Sequence, residues 1–125
     1  MTHRGMPHRV AREVGDRGEE LAVAHLAAAG VRIVDRNWRC PHGEVDIVGV
    51  DGHQVVFYEV KTRRSRRFGH PAEAVTPAKA ARLRRLAGLW MRQHPYRGRD
   101  LRVDVLAVTL RGSGAVRIDH LRGVA

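Results

Sequence analysis

Two carboxylates and a lysine on neighbouring predicted strands have the types and spacing that metal-dependent chemistry requires. Asp46 lies within residues 44–50, and Glu59 and Lys61 lie within residues 54–62. Carboxylates that face one another repel, and a cation between them relieves the repulsion. Oxygen ligands that leave positions open for water and phosphate suit Mg²⁺, for which Mn²⁺ can substitute, so the pattern predicts a metal site.

Such a site has the components of phosphodiester hydrolysis. The metal would activate a bound water, and Lys61 would orient the nucleophile or stabilise the transition state from the same strand face as Glu59. The alternative is an exposed hairpin face on which Lys61 only pairs with a carboxylate. Against it stands the apolar run at residues 55–58. That run predicts a central strand covered on both faces, where unpaired charges are costly.

The loop between the two strands decides which side chains meet. A two-residue loop at Asp51-Gly52 places Asp46 opposite Phe57 and Glu44 opposite Glu59. A four-residue loop instead places Asp46 opposite Glu59, and both registers form one acidic cluster. Strand alternation predicts one face with Glu44, Asp46, Val48 and Val50, and the other face with Val45 and Ile47.

Hydrophobic periodicity and turn residues predict the elements that hold these side chains. Helices are predicted at residues 14–29 and from Pro77, after an N-cap at Thr76, to a point before Pro95. Strands are predicted at residues 31–38, 44–50, 54–62, 101–110 and 116–121, with a loop at 63–75. The order αβββαββ predicts a single α/β domain at residues 13–122, a mixed central sheet flanked by two helices, after a flexible basic arm at 1–12.

The charge balance favours nucleic acid as a partner. Lys and Arg number 23 against 13 Asp and Glu, giving a net charge of +10, and such a surplus attracts polyanions. The alternative is that the arginine content follows codon bias. Lys61 and Lys79 are the only lysines in a chain whose other basic side chains of this kind are arginines. Either both positions require a compact ammonium that a guanidinium cannot replace, or the two lysines are there by chance.

The same composition predicts a soluble cytoplasmic protein with no membrane partner. No apolar run reaches the roughly 18 to 20 residues that a membrane span needs, and the basic start of the chain does not resemble a secretory signal. Cys40 is the only cysteine, which fits a reducing compartment.

Four motifs taken together resemble the YraN family, which consists of small bacterial proteins. They are Gly18-Glu19-x-x-Ala22, Gly43-Glu44-Val45-Asp46-Ile47-Val48, Phe57-Tyr58-Glu59-Val60-Lys61-Thr62-Arg63 and Phe68-Gly69. The family is similar to the PD-(D/E)XK nuclease superfamily, which includes restriction enzymes and archaeal Holliday-junction resolvases. The resemblance covers roughly residues 14–108 and implies a restriction-endonuclease-like fold.

The resemblance also implies roles for particular residues. Asp46 and Glu59 would be the metal-binding acids, Lys61 the catalytic lysine, and Glu19 a further acid from the first helix. The alternative for Glu19 is that it is simply an exposed glutamate on a helix face. Its neighbour Glu20 is a less suitable candidate for the further acid. Glu44 is a weaker candidate for a residue that supports the metal ligands from outside. Phosphate contacts are predicted for Arg63, Arg64, Arg66, Arg67 and Lys79, with a solvated charged loop as the alternative.

Two hypotheses about function follow. The first is a Mg²⁺-dependent endonuclease acting on DNA, including branched or processed intermediates, and resolvase-like relatives make a homodimer an expectation as well. The second is a non-catalytic nucleic-acid-binding module that works as a partner of another DNA-processing protein. The sequence does not decide between DNA and RNA. Substitution of Asp46 separates the hypotheses, because it should abolish cleavage and spare charge-driven binding.

Overall fold

The computed structural model describes residues 8–64, 75–96 and 98–125 of the chain. The helices are α1 (His8–Ala28) and α2 (Pro77–Gln93). The strands are β1 (Arg32–Cys40), β2 (Gly43–Asp51), β3 (Gln54–Arg63), β4 (Leu101–Leu110) and β5 (Val116–Leu121). The predicted α/β class and the predicted order of elements are confirmed.

Helix α1 begins at His8 rather than at Val14, so the predicted helix start is wrong. Residues 8–13 contain no glycine or proline and include alanine and two arginines, which favour helix. Residues 8–12 of the predicted basic arm therefore belong to the helix, and residues 1–7 lie outside the described residues.

The five strands form one mixed sheet in the order β1-β2-β3-β4-β5. Only the β3 and β4 pair is parallel; the three other pairs are antiparallel. A parallel pair needs a crossover connection, and α2 lies in the connection between these two strands. The predicted mixed sheet is confirmed, and β3 is its central strand.

Each face of the sheet carries its own apolar core. The core beneath α1 includes Ala22 and Leu26, and the core beneath α2 includes Leu83, Leu86 and Trp90. Residues 55–58 of β3 alternate between the two cores and are all buried. The prediction that this strand is covered on both faces is confirmed.

The start of α2 follows the predicted capping pattern. The side-chain hydroxyl of Thr76 accepts a hydrogen bond from Lys79 N at 3.1 Å, and Pro77 occupies the first helical position. This cap fixes the backbone of Lys79 beside the sheet. Among the described residues, no helix combines the length and apolar content that crossing a membrane would need.

Gly18 lets α1 approach the end of β3 closely. A Cβ added at Gly18 would lie 2.6 Å from Thr62 Cγ2 and 2.8 Å from Thr62 Cβ, too close for any side chain. Rotation of the threonine side chain would not move its Cβ. Glycine is therefore required at this contact, and the next residue of the helix, Glu19, is held near the end of β3.

Candidate active site

The site lies where β2 and β3 separate. Their pairing runs from Asp51 opposite Gln54 to Ile47 opposite Tyr58 and ends there. Beyond that point, β2 continues to pair with β1 and β3 continues to pair with β4. We call this divergence the fork, and define it by the next residue on each strand, which is Asp46 on β2 and Glu59 on β3.

The register is the one predicted for a four-residue loop, but the loop consists of only Gly52 and His53, because Asp51 pairs with Gln54. Val50 pairs with Val55, and the same register carried one step past the last pair brings Asp46 level with Glu59. The alternative, in which Asp46 faces Phe57, is wrong because Val48 occupies that position. An acidic side chain from each strand therefore reaches the fork.

The alternation of side chains along β2 breaks at the fork. Val45 packs in the core beneath α2 together with Val48, whereas Ile47 packs in the core beneath α1. The prediction that Val45 shares a face with Ile47 is therefore wrong. On the adjoining strand, Asn37 lies between the partners of Ile47 and Val45 and has a φ of 53°. The left-handed backbone of Asn37 and the change of faces at Asp46 therefore lie at the same level of the two strands.

The Asp46 carboxylate is buried among other negative charges. Its Oδ2 accepts a hydrogen bond from Val60 N at 2.8 Å, across the gap where the ladder has ended. Burial raises the pKa of Asp46 to about 6; the Val60 hydrogen bond opposes this shift, and the charges of Glu59, Glu19 and Glu44 add to it. The fold thus concentrates negative charge around one half-buried carboxylate.

Glu59 is held by a lysine from the first turn of α2. Lys79 Nζ lies 2.7 Å from Glu59 Oε2, and the two side chains are 23% and 19% exposed. The contact is an ion pair without hydrogen-bond alignment, since Oε2 is buried and makes no hydrogen bond with the described residues. Lys79 therefore neutralises Glu59, a role that the sequence did not predict.

Lys61 follows Glu59 by two residues on β3, and its side chain is exposed. Within the described part of the chain, Lys61 makes no ion pair with a carboxylate. The alternative interpretation, in which Lys61 only forms an ion pair with Glu59 or Asp46, is therefore wrong. Its ammonium is accessible to a bound molecule.

The remaining acids near the fork are tied to arginines. Arg36 Nη2 lies 3.2 Å from Glu19 Oε1 and 2.8 Å from Glu20 Oε1. Glu19 is 15% exposed and Glu20 is 68% exposed, so Glu19 is the one of the two that turns inward. Glu44 pairs with Arg39 at 2.9 Å on the exposed side.

The donor set at the fork suits an open site for a hard cation. Within residues 8–64, 75–96 and 98–125, no three His, Cys, Asp or Glu side chains come together closely enough to hold a metal ion. Asp46 and Glu59 supply two carboxylates, and Mg²⁺ is commonly bound through one or two carboxylates with water and phosphate as its other ligands. The pKa of Asp46 is raised, and a cation bound nearby would lower it. The residues present therefore fit Mg²⁺ or Mn²⁺.

Comparison with known proteins places this site in a defined family. The model of the uncharacterised protein family UPF0102 matches residues 18–108, a range that includes the fork, Glu19 and Lys79. The chain belongs to UPF0102. This is the YraN family, so the resemblance found in the sequence motifs is confirmed.

Relatives within UPF0102 match nearly the whole chain. A UPF0102 protein of Arthrobacter sp. (strain FB24) is 58% identical over 111 residues, which cover 89% of this chain and 94% of the relative. A relative from Beutenbergia cavernae is 54% identical with the same coverage of both chains. A relative from Frankia alni is 52% identical over 118 residues, covering 94% of this chain and 98% of the relative.

The basic segment that follows β3 in this UPF0102 chain is described only in part. Arg63 is half-buried and Arg64 is exposed. Arg66 and Arg67, two of the predicted phosphate contacts, lie outside the described residues, as does Phe68-Gly69.

A second polar cluster of the UPF0102 chain was missed in the sequence. Asp104 is fully buried on β4. Arg102 donates two hydrogen bonds to its carboxylate, each at 2.9 Å, and Gly123 N donates a third at 3.0 Å. His120 Nε2 lies 2.7 Å from Asp104 Oδ2. Burial alone would raise the pKa of Asp104, but the contacts with His120 and Arg102 outweigh it and lower the pKa to about 2. A lone aspartate in the apolar run of residues 103–108 is the signal that could have revealed it. The cluster fastens β5 and the end of the chain to β4.

Proposed function

We propose that this UPF0102 protein is a metal-dependent nuclease that hydrolyses phosphodiester bonds in DNA. The observation that carries the proposal is the pair of carboxylates at the fork, Asp46 and Glu59, of which Asp46 has a pKa raised to about 6 by burial and neighbouring charge. Lys79 neutralises Glu59, so the remaining cost is that of the Asp46 charge, which burial and the surrounding carboxylates disfavour and which a bound cation would stabilise. Sites that carry such electrostatic strain are commonly functional.

Each residue of the site has a role in the proposal. Asp46 and Glu59 would hold Mg²⁺ or Mn²⁺, which when bound supplies an activated water and neutralises charge on the phosphate. Lys61 presents an exposed ammonium beside them and stabilises the negative charge that builds on the phosphate oxygens during attack. Lys79 fixes the carboxylate of Glu59. Glu19 is the further acid, close enough to contribute to the raised pKa of Asp46.

The net charge of +10 supports a polyanionic substrate. It equally supports the second candidate, a non-catalytic nucleic-acid-binding module that serves another DNA-processing protein. One observation favours that candidate, since the described residues contain no cluster of three or more metal-ligating side chains. Cytoplasmic location, homodimer formation and the choice of DNA over RNA stay predictions.

Cleavage assays with matched variants test the proposal. Purified protein is incubated with linear, flapped and four-way-junction DNA in Mg²⁺ or Mn²⁺, with EDTA as the metal-free control. Asp46→Asn and Lys61→Ala should each lower the cleavage rate at least about a hundredfold, the usual effect of removing one group that stabilises a transition state. Glu20→Gln is the matched acidic control, because Glu20 is 68% exposed and should leave the rate unchanged.

Binding measured in parallel separates the two candidates. In EDTA, Asp46→Asn should bind DNA as tightly as the wild type or more tightly, because the variant removes a negative charge from the site. Tight binding by the wild type with no cleavage of any substrate in either metal would favour the binding module. Cleavage that survives Asp46→Asn would place the chemistry elsewhere.

A further inference from the structure

A concave surface lies between α1, the end of β3 and the turn that joins β4 to β5. It encloses about 760 Å³. Its described lining residues are Glu13, Val14, Arg17, Arg64, Leu110, Arg111, Gly112 and Gly114. We call this surface the arginine groove. The proposed catalytic residues do not line it.

Three arginines from three separate elements converge on the arginine groove. Arg17 comes from α1, Arg64 follows β3, and Arg111 follows β4; all three side chains are exposed. Among the residues of the lining that the structure describes, Glu13 is the one acidic side chain. Among the described residues, none of these three guanidinium groups forms an ion pair with a carboxylate.

Four arginines elsewhere on the fold do have carboxylate partners, whereas other exposed arginines, Arg82 and Arg85 among them, form no such pair with the described residues. The three groove arginines are distinguished by their convergence from separate elements on one concave surface. Arg36, Arg39, Arg102 and Arg117 each pair with at least one carboxylate at 3.2 Å or less. Guanidinium groups that are neutralised internally contribute little to the attraction of a polyanion. Those around the arginine groove keep their charge and their donors for an external anion, and guanidinium suits phosphate because its donors form a planar fork.

The arginine groove lies at the same end of the sheet as the fork. Because β3 and β4 are parallel, their carboxyl ends share one edge, and Arg64 and Arg111 follow those ends. Along β3 the separation from Glu59 to Arg64 is five residues, or roughly 16 Å at the rise of a strand. That length corresponds to about five base pairs of a DNA duplex. Glu59 shares the α2 side of β3 with Phe57, and the groove lies on the α1 side, so a nucleic-acid strand over the fork reaches the groove by passing around the carboxyl end of β3.

We infer that the arginine groove binds the sugar-phosphate backbone of the nucleic acid whose scissile phosphate lies at the fork. Arg17, Arg64 and Arg111 contact phosphates, and the apolar side chains of Val14 and Leu110 pack against sugars. The inference rests on the proposed function for the position of the scissile phosphate. It adds a binding surface formed by α1 and the β4–β5 turn, which are far from the fork in sequence.

Binding experiments in EDTA test the arginine groove without requiring cleavage. Fluorescence anisotropy with a labelled DNA duplex and the matching RNA compares the wild type with the double variant Arg17→Ala/Arg111→Ala over a series of salt concentrations. Removing two phosphate contacts should reduce the slope of log affinity against log salt by about 1.8 and weaken binding about tenfold at moderate salt. Arg82→Ala/Arg85→Ala is the matched control, since it removes the same charge from exposed positions of α2 on the opposite face of the sheet.

The outcomes distinguish the groove from net charge and from catalysis. A loss specific to the groove variant, with unchanged circular dichroism, supports the inference whether or not the protein cleaves DNA. Equal losses in both double variants, or no binding of either probe by the wild type, would overturn it. Binding of a nucleoside monophosphate that the groove variant abolishes, with duplex binding unchanged, would assign the groove to a small ligand and overturn it as well. Failure of cleavage alone affects only the proposed function.

Discussion

Asp46→Asn is the substitution that tests the electrostatics of the fork most directly. Asparagine has nearly the same shape as aspartate, and its side-chain oxygen can still accept the hydrogen bond from Val60 N. The substitution therefore removes the charge and keeps the packing. Because the charge is destabilising where it stands, we expect the variant to be more stable than the wild type in the absence of metal.

The magnitude follows from the shift of the pKa. Folding raises the pKa of Asp46 from 3.8 to about 6. Each unit of difference between the folded and unfolded pKa corresponds to about 1.4 kcal/mol, so ionised Asp46 lowers the free energy of unfolding by up to about 3 kcal/mol. For a domain of this size, about 3 kcal/mol corresponds to an increase in Tm of roughly 10 °C.

The pH dependence has a definite sign. The folded state binds the proton of Asp46 more tightly than the unfolded state, so this group lowers stability as pH rises from about 4 to about 6. Thermal melts in EDTA should therefore show equal Tm values for the wild type and Asp46→Asn at about pH 3, below both pKa values of Asp46. Between about pH 4 and about pH 6 the Tm of the variant should rise relative to that of the wild type, and the difference should stay at its maximum above about pH 6.

Two further melts complete the assay. Adding Mg²⁺ at pH 7.5 should stabilise the wild type by about 2.7 kcal/mol at a hundredfold excess over Kd, and should have little effect on Asp46→Asn. Asp16→Asn, which removes one negative charge from the exposed surface of α1, is the control and should leave the Tm at pH 7.5 unchanged. A lower Tm for Asp46→Asn than for the wild type at pH 7.5 in EDTA would refute the reasoning.

Two other substitutions test packing and the second polar cluster. Gly18→Ala should lower the free energy of unfolding by about 1 to 2 kcal/mol, because overpacking against Thr62 exceeds the gain in helix propensity. Gly15→Ala on the same helix meets no atom within 4 Å and should stabilise by roughly 0.5 to 1 kcal/mol in urea unfolding; equal effects would contradict the contact. Asp104→Asn should cost about 3 kcal/mol at pH 7. The pKa of Asp104 is lowered from 3.8 to about 2, so the wild type should lose the stability that Asp104 contributes as pH falls through that interval, and the variant should show no such loss. If urea unfolding at pH 7 gives the variant a free energy of unfolding within about 1 kcal/mol of the wild type, the structural role of Asp104 is contradicted.

The sequence by itself determined the elements and their order. The bounds of β4 and β5 are those predicted, as are the Thr76 cap and the position of Pro77, because alternation and capping depend on residues close together in the chain. The predicted start of α1 was wrong, since no stop signal separates residues 8–13 from the helix. The sequence also placed Asp46 and Glu59 on adjacent strands, because alternation and loop length limit the register to two choices.

Only the tertiary structure decided how those residues are placed and charged. Lys79 is 20 residues from Glu59 in the chain, and their ion pair exists because α2 packs its first turn against β3. The break in alternation at Asp46 lies level with the left-handed Asn37 of the neighbouring strand. The pKa of Asp46 reflects burial together with the charges of Glu59 on β3, Glu19 on α1 and Glu44 on the same strand. The arginine groove likewise joins residues from α1 and from the ends of β3 and β4. Burial, the sum of nearby charges and the shape of a groove depend on distances in space, which local sequence patterns do not encode.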